Sequence, residues 1–201
     1  PKGPLNAHMA GKIANGQRQA ASKALAELNK LGYVWNKIKE RLAKGEQVVV
    51  FVGNNGYNAD GSGISSQVVP GLRGNLVKLL NGSGIPWSPV FGGDSATAAI
   101  EDFQSGRTKV VVATTKKGGV GVNLDEQVGN APRYVINTSP EYSGDVIDQL
   151  IYRVSRKATK PPSMFEFVVA PGFLGDDRAR ESADRKTETL RLMPASYTHL
   201  R

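Results

Sequence analysis

Two stretches of this chain are apolar at successive positions instead of alternate ones. They are "QVVVFVG" at Gln47–Gly53 and "TKVVVAT" at Thr108–Thr114. Successive side chains of a strand point to opposite faces, so a run without alternation needs cover on both sides. That condition is met in a parallel sheet with helices above and below, and Gln47–Gly53 is expected at its centre. "RYVINT", Arg133–Thr138, and "MFEFVVA", Met164–Ala170, are expected as further strands. "WSPVFGG", Trp87–Gly93, is a short candidate weakened by its prolines, which cannot donate to a ladder.

Helical patterns fill the intervals. Ala21, Leu25, Leu28 and Leu31 share one face of a helix over Ala20–Leu31. A second helix is expected over Val34–Ala43, with Val34, Ile38 and Leu42 inward and Gly45 as its stop. A third covers Leu72–Leu80. Asp94 or Ser95 is placed to cap a fourth through Gln104, with Ile100 and Phe103 inward. A fifth runs from about Gly144 to Arg156. Strands alternating with helices predict a three-layer α/β domain around a mostly parallel sheet. Ligands of such sheets sit at the carboxyl ends of the strands. Residues 1–19 are expected as a flexible N-terminal segment, 20–172 as the domain, and 173–201 as an exposed helix or tail. Asn54–Ser66, rich in Gly, Asn, Asp and Ser, is expected as a long mobile loop.

Composition narrows the chemistry. The chain has 201 residues and no cysteine, and its histidines are His8 and His199, near the two ends. Thiolate metal sites are excluded, and histidine-based catalysis in the core is not expected. No apolar stretch approaches the length of a membrane span, so an intracellular protein without a membrane partner is expected. A formal net charge of +8 points to a polyanionic partner, nucleic acid being the commonest. The bland alternative is a well-charged, soluble surface.

"VVVATTKKGGVGVNL", Val110–Leu124, carries a strand into a basic, glycine-rich turn. Bare backbone at a strand end suits phosphate, although such a turn also serves merely to join a strand to a helix. Downstream, "DVIDQLIYRVSR" places Val146, Ile147, Leu150, Ile151 and Val154 on one helical side. Gln149, Tyr152, Arg153 and Arg156 gather opposite, either as a working stripe or as the solvent side of an amphipathic helix. Arginine, planar and permanently charged, suits a terminal phosphate.

"TTKKGGVGVNL" followed by "NTSPEYSGDVIDQLIYRVSRKATKPPSMFEFVV" resembles the second motor lobe of superfamily 2 helicases, most closely the Swi/Snf-type remodelling ATPases. Thr115, Gly118, Gly119, Gly121, Asn123 and Leu124 match helicase motif V. Gln149, Arg153 and Arg156 match motif VI. "EQVVVFVG" matches the motif IV strand, and "VFGGDSATAAIEDFQSG" resembles the strand, glycine turn and helix that follow it. Tyr152 stands where many helicases have a small residue, and Lys116 and Lys117 make motif V more basic than usual. The likeness runs from about Val34 to Ala170.

The resemblance implies a RecA-like lobe that shares ATP and Mg2+ with a first lobe, in cis or in trans, which holds most of both. Arg153 and Arg156 would face the γ-phosphate, with Arg156 as the finger, and Gln149 would position the nucleotide or its attacking water. Gly119, Gly121 and Asn123 would line the cleft. Thr115, Lys116, Lys117, Gly92 and Gly93 would touch a nucleic-acid backbone, DNA favoured over RNA. No phosphate-loop pattern is present, so the chain alone is not expected to hydrolyse ATP. The alternatives are a catalytically silent lobe that binds nucleic acid or regulates a partner motor, and a RecA-like nucleotide-binding protein with no nucleic-acid role.

Overall fold

The valine-rich runs form the middle of a sheet whose strands all pair in parallel. A computed structural model describes residues 26, 28–53, 71–91, 95–115, 123–125, 131–139, 151, 154, 163–170, 172 and 181. Along the chain these give α1 (Leu31–Ala43), β1 (Gln47–Val52), α2 (Leu72–Ser83), β2 (Trp87–Val90), α3 (Ser95–Gln104), β3 (Val110–Thr114), β4 (Arg133–Asn137) and β5 (Met164–Phe167). The strand order is β2-β3-β1-β4-β5. Thus β1 is central, as its two-sided apolar run requires, and every residue of β1 and β3 is buried. Pro89 lies in β2 at the edge of the described sheet, where a missing N–H costs no ladder bond.

Alternation along the strands divides the core into two layers. Val48, Val50, Val52, Val110, Val112 and Ile136 pack with Val34 and Ile38 of α1 and Leu72, Leu76 and Leu80 of α2. Val49, Phe51, Val111, Ala113 and Val135 pack on the other face with Ala99 and Phe103 of α3, Leu124 and Val154. Ile151 and Val154 are both helical, three residues apart, with Val154 fully buried. The rest of the helix expected over 144–156 lies outside the described residues, as do the expected loop 54–66, the segment 1–19 and, apart from Glu181, the segment 173–201.

Boundaries differ from the sequence expectation in understandable ways. α1 begins at Leu31, three residues before Val34, because Lys30 has helical dihedrals and its carbonyl accepts from Val34 N at 2.9 Å. Ala26, Leu28 and Asn29 are helical as expected. α1 does stop at Gly45, whose φ of 78° is readily reached only without a Cβ. Its N–H closes on the Leu42 carbonyl at 3.0 Å. β2 and β5 end three residues short of the expected runs, and β3 starts at Val110 instead of Thr108.

Buried polar side chains lock the amino edge of the sheet. Gln47, 2% exposed, donates through Nε2 to the carbonyls of Phe103 and Thr108, both at 2.9 Å. Arg133 opens β4 with its guanidinium 4.5 Å from the centre of the Phe103 ring. The C-terminal end of α3 is thereby fixed beside the starts of β1, β3 and β4.

Candidate functional site at the carboxyl edge of the sheet

Because the strands are parallel, the loops after β1, β2, β3 and β4 all leave from one edge. The ends of β1 and β4 are tied together there. Thr138, the residue after β4, donates both its backbone N–H and its hydroxyl to the Phe51 carbonyl of β1, each at 2.9 Å. Its own carbonyl accepts from the buried ammonium of Lys30 at 2.7 Å. The Asn137 side-chain oxygen accepts from the Ser139 N–H at 3.0 Å.

Beside these ties stand polar groups left open. Thr114 and Asn137 pair with Val52 and Phe51 respectively, so they flank the end of β1. Each is 3% exposed. The Thr114 hydroxyl and the Asn137 amide nitrogen are enclosed and have no hydrogen-bond partner among the described residues. Buried polar groups are nearly always satisfied, so open ones at a ligand-binding edge mark where a ligand or water belongs.

A third open group is a cation. Arg73 sits in the first turn of α2 and is 5% exposed. Its guanidinium carbon lies 4.8 Å from the centre of the Phe91 ring, just beyond β2. Nη2 is enclosed without a partner, and no carboxylate pairs with Arg73 among the described residues. Burial pushes its pKa down, with no neighbouring charge to offset the effect. Arg73 is not among the site residues expected from the sequence. The available signal was an arginine in a first turn that has no acidic residue.

Of the expected site residues, two are described, and the structure does not bring them together. Thr115 is 3% exposed, helical, and placed at the carboxyl edge directly after β3. Asn123 is held toward the other end of the sheet. Gln104, the last residue of α3, donates through Nε2 to the Asn123 and Asp125 carbonyls at 3.1 and 2.8 Å. The Gln104 oxygen accepts from Arg133 Nη2 at 3.1 Å. This latch fixes the return leg of the glycine turn, and it places Leu124 in the core with Phe103 and Val154. The Asn123 side-chain oxygen is enclosed without a partner among the described residues. Gln149, Arg153, Arg156, Gly119, Gly121, Lys116, Lys117, Gly92 and Gly93 lie outside the described residues.

A mostly apolar groove of about 530 Å3 opens between the start of α1 and the end of β5, lined by Lys30, Tyr33, Glu166, Phe167 and Ala170 among others. Glu166 accepts the hydroxyls of Tyr33 and Tyr134, the latter at 2.5 Å. Burial, followed by that hydrogen bond, pushes the Tyr134 phenol up to about 12, although Arg41 stacks 3.8 Å from its ring centre and opposes the shift. Among the described residues no group of three or more His, Cys, Asp or Glu gathers into a metal site. No described helix is long and apolar enough to cross a membrane.

No family model matches the chain, and no curated protein matches it. Among solved structures it is similar to the crystal structure of the C-terminal part of the Fun30 ATPase domain, with a TM-score of 0.52 and 16% identity. The match covers 71% of this chain, which spans 40% of that one. At this identity the likeness concerns the fold. The chain has an α/β, RecA-like architecture, its described residues forming a five-stranded parallel sheet between helices.

Proposed function

We propose that this chain is the second motor lobe of an ATP-dependent nucleic-acid helicase or translocase. The observation that carries the reading is the all-parallel order β2-β3-β1-β4-β5 in a fold similar to that of a solved part of an ATPase domain, with the motif-like segments in β1 and in the connections after β3 and β4. The open Thr114 and Asn137 side chains on the edge where phosphate-binding loops gather support a ligand there. In this reading Arg153 and Arg156 complete a nucleotide pocket whose other wall, with most of the contacts to ATP and Mg2+, belongs to a first lobe. ATP supplies the phosphoryl group transferred to water. Gln149 orients the nucleotide or that water, and Gly119 and Gly121 line the cleft. Thr115, Lys116, Lys117, Gly92 and Gly93 hold the nucleic-acid backbone without regard to sequence.

The test is reconstitution with a first lobe, in trans or by fusion. The chain alone is expected to show no ATPase activity. The reconstituted pair is expected to lose roughly a thousandfold in kcat on Arg156→Ala, the scale of an arginine finger. A full rate in the variant would remove the finger assignment.

A further inference from the structure

α2 lies between two parallel strands, so it runs against them and begins at their carboxyl edge. Helical side chains lean toward the helix start, which turns Arg73 toward that edge. Val90 of β2 pairs with Ala113 of β3, so Phe91 and Thr114 follow side by side. Phe91 packs against the core layer that contains Val110 and Val112, and Thr114 continues their alternation on the same face. The guanidinium stacked on Phe91 and the open Thr114 hydroxyl therefore face one corner.

The start of α2 faces that corner too. Its cap is Gly71, no side chain among the described residues caps its opening amides, and its first turn has no acidic residue. The helix's own first turn supplies no carboxylate to the positive end of its dipole. A buried guanidinium with no counter-charge among the described residues is costly, and the enclosed hydroxyl adds a second unmet demand. A small oxyanion answers all of these needs together.

We infer that Arg73, Thr114 and the first turn of α2 form a phosphate subsite at the carboxyl edge. The source assigned to that phosphate rests on the motor-lobe reading. Phe91 precedes Gly92 and Gly93, and Thr114 precedes Thr115, Lys116 and Lys117, the residues that reading assigns to the nucleic-acid backbone. On that reading the phosphate belongs to a phosphodiester backbone. A nucleotide phosphate is the other source of the same chemistry.

The experiment measures binding of a fluorescent DNA oligonucleotide to the full chain at several salt concentrations, alongside thermal melts with inorganic phosphate and with ATP. The proteins are wild type, Arg73→Gln, Thr114→Val and the charge-matched control Lys39→Gln, whose side chain is exposed on α1. Arg73→Gln is expected to weaken DNA binding at least about fivefold and to flatten the log–log salt slope by about 0.7–0.9, one phosphate's share. Without ligand it should melt no lower than wild type, since it removes an uncompensated buried charge. Thr114→Val should weaken binding while keeping the slope, and Lys39→Gln should behave as wild type.

If wild type binds DNA and Arg73→Gln binds equally well with the same slope, the subsite is refuted and the motor reading stands. If DNA fails to bind but phosphate or ATP raises the wild-type melting temperature, and Arg73→Gln abolishes the rise, the subsite stands with a nucleotide as its source and the motor reading loses its support. Failure of wild type to respond to any of the three overturns both.

Discussion

Gln104→Leu isolates the latch that holds the end of the glycine turn. The substitution keeps side-chain bulk and helix propensity while removing three hydrogen bonds, to the Asn123 and Asp125 carbonyls and from Arg133. Each is worth about 0.5–1.5 kcal/mol net, and Gln104 is only half-buried, so water recovers part of the loss. The working figure is about 2 kcal/mol. For a chain of this size that lowers the melting temperature by roughly 4–8 °C. Hydrogen exchange localises the effect: if 123–125 open separately from the core, amides there should lose roughly thirtyfold in protection, since each tenfold corresponds to about 1.4 kcal/mol. Gln104→Glu divides the latch. It keeps an oxygen for Arg133 but turns an anionic oxygen toward two carbonyls, so it should still destabilise near neutral pH and recover partly as the new carboxylate is protonated. A Gln104→Leu protein that melts within about 1 °C of wild type with unchanged exchange at 123–125 would show that the turn is held by something else.

Lys30→Met keeps the buried stem but removes the ammonium that bonds the Thr138 carbonyl, and should cost about 2 kcal/mol in denaturant titration. An unchanged midpoint would mean the Lys30 contact contributes nothing net. Tyr134 should titrate near 12 when followed by phenolate absorbance, and Glu166→Gln should lower that value by removing the carboxylate charge beside it. The folded state keeps a proton that the unfolded chain releases near 10, so stability should fall as pH rises from about 10 to 12. A flat stability across that window would refute the assigned burial of Tyr134.

The parts of the fold legible in the sequence are those governed by local pattern. β1 and β3 announce themselves because two-sided burial leaves no polar alternation, and Gly45 stops α1 as its turn demands. The start of α1 is harder to read, because Gly32 looks like a break whereas a single glycine costs a helix only about 1 kcal/mol. Tertiary demands are invisible in the same way. Gln47, Lys30 and Arg73 carry ordinary polar side chains, and their burial follows from carbonyls and rings brought near from residues far along the chain. At the candidate site, Thr115 falls on the expected edge because a strand end can be located from the strand. Asn123 does not join it there, since the Gln104 latch that draws it toward α3 is a contact between distant segments.

The central position of β1 also governs how the chain acquires its shape during synthesis. Val48 pairs with Val110 and Gln47 with Arg133, so β1, made before either partner, waits for both of its neighbours. Until the ribosome has released β4, a ribbon of valine and phenylalanine has at least one bare edge. A nascent chain stalled in that interval is an adhesive species, and the vulnerable stage of this protein's life is its own translation.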